Sequence, residues 1–159
     1  VRPGLAVYGL SPVPDLGDSA HFGLREAMRV TARLSVVKRA AAGQGVSYGH
    51  EYVTDRDTVL GLVPMGYADG IPRAAGGAGP MLVGDRRLTI AGRVCMDQVV
   101  LDLGPDSAGA AGDEVVVLGR AADGEPSAQD WAQAAGTINY EIVTRMSPRL
   151  PRVLLGGPF

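Results

Sequence analysis

Residues 79–94 read GPMLVGDRRLTIAGRV. Two strand-like halves meet at Gly84-Asp85, a two-residue link of the kind that closes an antiparallel hairpin. Upstream, TVLGLVPMG (58–66) reads as a strand ending at a Pro/Gly turn. Downstream, QVVLDL (98–103) and DEVVVLG (113–119) read as two more short strands, split by the loop GPDSAGAAG. Further back, VTARLSVVKRA (30–40) is β-branched and partly alternating, which favours a strand over a helix.

The ends of the chain differ. SAQDWAQAAG (127–136) is helical in pattern: Ser127 stands at the N-cap with Asp130 three residues on, and Gly136 stops it. Ala128, Trp131, Ala132 and Ala135 share its inner face. TINYEIVTRM (137–146) reads as a second helix starting at Thr137, with Ile138, Ile142 and Met146 on one side. SPRLPRVLL returns to extended chain, and VRPGLAVYGL at the start reads as a short strand and turn. The Pro/Gly/Asp-rich run SPVPDLGDSAHFG (11–23) is a linker. The fold class expected is mainly β: an antiparallel, partly closed β-barrel-like domain with two short helices near the C-terminus, not a βαβ fold.

At 159 residues, 46% apolar and 20% charged, the chain has the composition of a globular domain with a real core. A net charge of −2 gives no footprint for a nucleic-acid or membrane-surface partner. Glycine (23) and proline (11) fit many turns between short strands. The single cysteine, Cys95, allows no internal disulfide and no cysteine metal cluster, and reads as a buried, inert thiol. No phosphate loop, dinucleotide fingerprint or zinc spacing occurs, so no metal site is expected. His21 and His50 stand alone and read as structural or solvated. The chain does not open on Met, so it reads as processed or as a piece of a longer protein.

What remains for chemistry is a set of tyrosines in polar, Gly-flanked settings: Tyr48 in GVSYGHEY, Tyr67 in MGYADG and Tyr140 in TINYE. Taken singly, each reads as a ring at the edge of the core with its hydroxyl satisfied. Arg73 and Arg93 sit beside turns, where a surface ion pair is the ordinary outcome.

In order along the chain, RPGLAVYG (2–9), GVSYG (45–49), GYADGIPR (66–73), GRVCMDQ (92–98) and TINYE (137–141) followed by RLPRV (149–153) resemble the C-terminal β domain of the alanine racemase family. The resemblance runs over essentially the whole chain. It implies a two-domain enzyme that uses pyridoxal 5'-phosphate, with a (β/α)8 barrel ahead of this domain. It further implies a head-to-tail homodimer in which this domain completes the other subunit's site. Residues 1–10 would then be the last strand of the barrel, 11–23 the linker and 24–159 the C-terminal domain.

By the resemblance, Tyr48 matches the catalytic tyrosine, which removes or returns the α-hydrogen on one face of alanine. A barrel lysine outside this chain, which also anchors the cofactor, serves the other face. Racemisation needs two bases on opposite faces of a planar carbanion, and the cofactor supplies the electron sink. Tyr140 matches a phosphate contact, Arg2 the group facing the pyridine nitrogen, and Gly4 and Leu5 backbone positions that meet the phosphate. Met96 matches the residue whose N–H meets the substrate carboxylate. Tyr67, Arg73 and Arg93 match residues of the access passage. Lys38, the sole lysine, matches no cofactor position and reads as a solvated strand residue. On this basis the chain alone racemises nothing. The implied setting is the cytoplasm, supplying D-alanine for peptidoglycan. Three alternatives stay open: a racemase for another small amino acid such as serine, a fold-type III amino-acid decarboxylase, and a non-catalytic β-barrel binding module.

Overall fold

The structure is a computed structural model that describes residues 1–156. Among the described residues nine strands and two α-helices follow one another: β1 (Val30–Arg33), β2 (Val36–Ala40), β3 (Gly45–Val46), β4 (Tyr52–Val53), β5 (Thr58–Val63), β6 (Pro80–Val83), β7 (Arg86–Thr89), β8 (Val99–Gly104), β9 (Glu114–Leu118), α1 (Ala128–Ala135) and α2 (Asn139–Thr144). The expected hairpin is β6–β7, with Val83 opposite Arg86 and Met81 opposite Leu88.

Every pairing is antiparallel, in sheets of order β1-β9-β6-β7 and β2-β5-β8, with β3-β4 as a separate ribbon. The larger sheets meet at two corners. The segment 30–40 is one extended run that changes partner: Leu34 N donates to Asp113 O at 2.9 Å, and Ser35 N to Leu62 O at 2.9 Å. At the other corner Ile90 N donates to Gly79 O at 3.0 Å, while Ala91 N donates to Val100 O at 2.8 Å. The ladders do not run on through the corners, so the barrel is partly closed, as expected.

The interior is filled from both sheets by Leu34, Val63, Met81, Ile90, Leu101, Leu103, Val115 and Val117, all at most 1% exposed. α1 closes one side with Trp131, which is 1% exposed and whose indole N–H donates to Val117 O at 2.6 Å. Gly79 makes room for it: a Cβ there would lie 2.6 Å from the indole ring. Lys38 is exposed on β2, as read from the sequence.

Three expectations are corrected. Residues 1–10 hold no strand: Gly4–Tyr8 is a 3-10 helix. A strand would set Leu5 and Val7 on one face, but the three-residue period sets Leu5 with Tyr8. Leu5 is accordingly buried while Val7 is 65% exposed. The second helix runs from Asn139, not Thr137, because Ile138 stays extended (φ −107°, ψ 153°) and points 66% into solvent. Cys95 is half-buried rather than buried: its sulfur meets Ser47 Oγ at 3.3 Å between two loops instead of packing in the core.

Candidate functional site

Tyr48 rides on the short link between β3 and β4, and its ring is 73% exposed. Its neighbours take left-handed backbone: Ser47 (φ 62°, ψ −173°), Gly49 (φ 75°) and His50 (φ 50°). The segment 92–95 lies against this link. Ser47 Oγ donates to Arg93 O at 2.9 Å and lies 3.3 Å from Cys95 Sγ. The Arg93 guanidinium pairs with Glu51, and its hydrogen bond holds that exposed carboxyl below the usual range. His50 packs over Gly45, where a Cβ would fall 2.5 Å from the imidazole.

The ribbon is anchored from beneath. Tyr52 OH donates to Asp102 Oδ2 at 2.6 Å, and the same carboxylate accepts from Thr58 Oγ1 and from Gly104 N. Burial, reinforced by the hydrogen bond to Asp102, pushes the Tyr52 phenol up to about 12. Burial works against ionising Asp102, but the donors from Thr58, Tyr52 and Gly104 outweigh it and hold the carboxyl low.

Tyr67 and Met96 meet through their backbones. Tyr67 N donates to Cys95 O at 3.0 Å and Ala68 N to Met96 O at 2.9 Å. Gly66 permits this approach. The Met96 side chain is 54% exposed and the Tyr67 ring 39%. Asp69, 6% exposed, braces the loop by accepting from Gly66 N at 2.9 Å. Arg149 spans from Asp69 (3.6 Å) to Asp97 (2.9 Å) and ties the C-terminal segment to both loops. Arg73 opens a short 3-10 turn that packs on the same strip, with Gly77 N donating to Gly92 O at 3.0 Å. Tyr48, Tyr67, Arg73, Arg93 and Met96 are thus carried by loops that touch one another.

The other predicted residues form a second group. Leu5 is core, Arg2 is exposed, and Tyr8 packs edge-to-face on Tyr140 with centroids 6.1 Å apart. The segment docks closely at Gly9, where a Cβ would overlap Arg25 O. Asn139, buried beside Tyr140, donates to Ser11 O at 3.0 Å. The loop of Tyr67 links the groups: Asp69 O accepts from Ser147 N just past α2, at 3.0 Å. Among the described residues no hydrogen bond or ion pair joins Tyr48 to Arg2 or Tyr140.

Sequence reasoning missed Ser47, Glu51, Asp69, Asn139 and Arg149. Asp69 alone carried a signal, an aspartate in a Gly-flanked turn that caps its own backbone. Arg149 opens the RLPRV run, but it acts across the fold, and that run does not show which carboxylates it pairs with. None of the predicted site residues lines the groove of about 690 Å³ between the β6–β7 hairpin and the 106–109 loop. Tyr48, Tyr67 and Met96 stand exposed outside it.

Fold and site together define a β-barrel-like domain that presents a tyrosine on a braced turn, with two groups of polar donors around it. Comparison with known proteins then fixes the family. Residues 27–154 match the family described as alanine racemase, C-terminal domain, and the chain belongs to that family. It is 63% identical over 157 residues to the alanine racemase of Beutenbergia cavernae, covering 99% of this chain and 41% of that protein. Among solved structures, alanine racemase from D-cycloserine producing Streptomyces lavendulae superposes with a TM-score of 0.94 at 61% identity, over 97% of this chain and 40% of that one. The biosynthetic alanine racemase of Pseudomonas aeruginosa gives 0.85 at 38% identity, over 94% and 40%. The chain therefore spans about two-fifths of the length of the relatives it matches.

Proposed function

We propose that this chain is the C-terminal part of a pyridoxal 5'-phosphate enzyme that interconverts L- and D-alanine, with Tyr48 as the acid/base on one face of the substrate. The observation that carries it is Tyr48 itself: an aromatic ring left 73% exposed on a strained turn, while the loops around it are braced. A packing tyrosine has no need of such a mount. In the intact enzyme the phenolic oxygen would take the α-hydrogen from one enantiomer and return it to form that enantiomer from the other. Met96 N–H makes no backbone hydrogen bond among the described residues and is free to meet the substrate carboxylate.

The donor set suits the cofactor. Gly4 is exposed, with left-handed backbone (φ 53°) and nothing near where a Cβ would lie, which leaves room for a phosphate to approach the backbone there; the N–H groups of Gly4 and Leu5 would meet it. The Tyr140 hydroxyl is a further donor. Arg2 is exposed and would face the pyridine nitrogen, where a guanidinium does not readily give up a proton. When bound, the cofactor supplies the sink for the electrons left by the departing α-hydrogen. Tyr67, Arg73 and Arg93 would line the passage into the site, with Arg93 held in place by Glu51.

The same reading places residues 1–10 at the end of the cofactor barrel, 11–23 in the linker and 24–159 in the C-terminal domain. It makes the enzyme a cytoplasmic homodimer that supplies D-alanine for peptidoglycan, the opposite-face lysine lying outside this chain. Tyr48→Phe in the intact enzyme is expected to slow racemisation by roughly 10²–10⁴-fold, the usual worth of a positioned acid/base, with cofactor binding retained. Full activity in that variant would sink the assignment.

A further inference from the structure

We propose that Ser47 is a positioning residue for Tyr48, clamping the turn that carries the phenol onto the segment Gly92–Cys95; this rests on reading Tyr48 as the proton-transfer group. At φ 62°, ψ −173°, Ser47 occupies backbone space that glycine takes freely and other residues take only when their surroundings hold them there. The turn has glycine beside it at Gly49 and Gly45, yet serine stands at the strained position. Its hydroxyl explains why. The O–H donates to Arg93 O at 2.9 Å, and the Cys95 sulfur lies 3.3 Å from the same oxygen.

Gly92 lets the two segments close. Its φ is 85°, and a Cβ there would lie 3.0 Å from Val46 O and 3.2 Å from Ser47 Cβ. On the far flank, the Arg93 guanidinium pairs with Glu51 and sits about 3.5 Å from where a Cβ on Gly49 would be. The turn is therefore gripped on both sides of Tyr48 by one four-residue segment. Tyr48 makes no side-chain hydrogen bond among the described residues, so its aim is set by this grip.

The test uses the intact, cofactor-loaded enzyme and two variants, Ser47→Ala and Ser47→Gly. Peptide-resolved amide hydrogen exchange reads the turn, and α-deuterated L- and D-alanine read the proton transfer. Ser47→Ala keeps the strain and loses the clamp. Exchange over residues 45–51 is expected to rise roughly 5–10-fold, the worth of one lost hydrogen bond, with β5 unchanged. The substrate isotope effect rises for one enantiomer only, because only one face depends on Tyr48. Ser47→Gly, relieved of strain, loses less; the reverse order overturns the role of strain. Unchanged exchange at 45–51, or isotope effects that move equally for both enantiomers, overturns the clamp. Tyr48→Phe separates the two failures: at full activity it condemns the reading of Tyr48, whereas a crippled Tyr48→Phe beside an unaffected Ser47→Ala condemns the clamp alone.

Discussion

At Gly66 a methyl group has nowhere to go. A Cβ there would lie 2.3 Å from Cys95 O and 2.4 Å from Met96 O, both backbone atoms that cannot rotate away. The close approach is what lets Tyr67 and Ala68 hydrogen-bond the 95–96 segment and hold Tyr67 beside Met96. Gly66→Ala is expected to push the loops apart, lowering stability by about 1–3 kcal/mol as overpacking does, measured by urea unfolding. Single residues were unevenly legible. Tyr48 is legible only in company: taken singly it reads as a core-edge ring, and the ordered runs GVSYG, GYADGIPR, GRVCMDQ and TINYE give it a role. Ser47 did not, because its work lies in a backbone angle and in an oxygen that reaches a carbonyl 46 positions away.

Elements were legible where several local signals agreed. In α1 the cap, the apolar face and the terminal glycine all point to the same helix. Ser127 Oγ accepts from Asp130 N at 3.1 Å, Asp130 Oδ2 accepts from Ser127 N at 2.7 Å, and Gly136 turns left-handed (φ 66°). The cap also reaches across the fold, since Asp130 pairs with Arg87 of β7 at 2.7 Å. Ser127→Ala is expected to cost about 1 kcal/mol, read as a lower urea midpoint with the slope unchanged. Where local signals disagree, tertiary contacts decide the element. Thr137 reads as the first residue of a helix, but its hydroxyl is given to the Glu141 carboxylate and the chain stays extended through Ile138. In 1–10 the apolar run LAVYGL reads as a short strand, yet Pro3 already sits in the right-handed helical region (φ −66°, ψ −20°) and starts a 3-10 turn.

For the whole molecule, closure depends on two runs of chain that switch sheets, at Leu34–Ser35 and at Ile90–Ala91. A sequence shows such a run only as one strand, because the change of partner is a tertiary event. That is why the β class was readable and the corners were not. The ribbon that carries Tyr48 hangs on the barrel by a similar tertiary link, Tyr52 to Asp102 to Thr58. Its two titrating groups set the pH window of the link. The Asp102 carboxyl is depressed in the fold, so its contribution is present above its unfolded value of about 3.9 and is lost as pH falls through the folded value. The Tyr52 phenol is raised to about 12, so its contribution is full below the unfolded value of about 10 and is lost as pH rises towards 12. Glu125 and Asp130 are also depressed, their hydrogen-bond donors outweighing burial, and they steepen the acid side. Stability is therefore expected to be flat between roughly pH 5 and 9 and to fall on both sides, checked by urea unfolding across that range. Asp102→Asn removes one acid-side term and withdraws the negative partner of Tyr52. Burial, the larger cause, remains, so the Tyr52 phenol should move down from about 12 without reaching the ordinary value. A tyrosinate absorbance titration that showed no such shift would mean that Asp102 does not hold the ribbon.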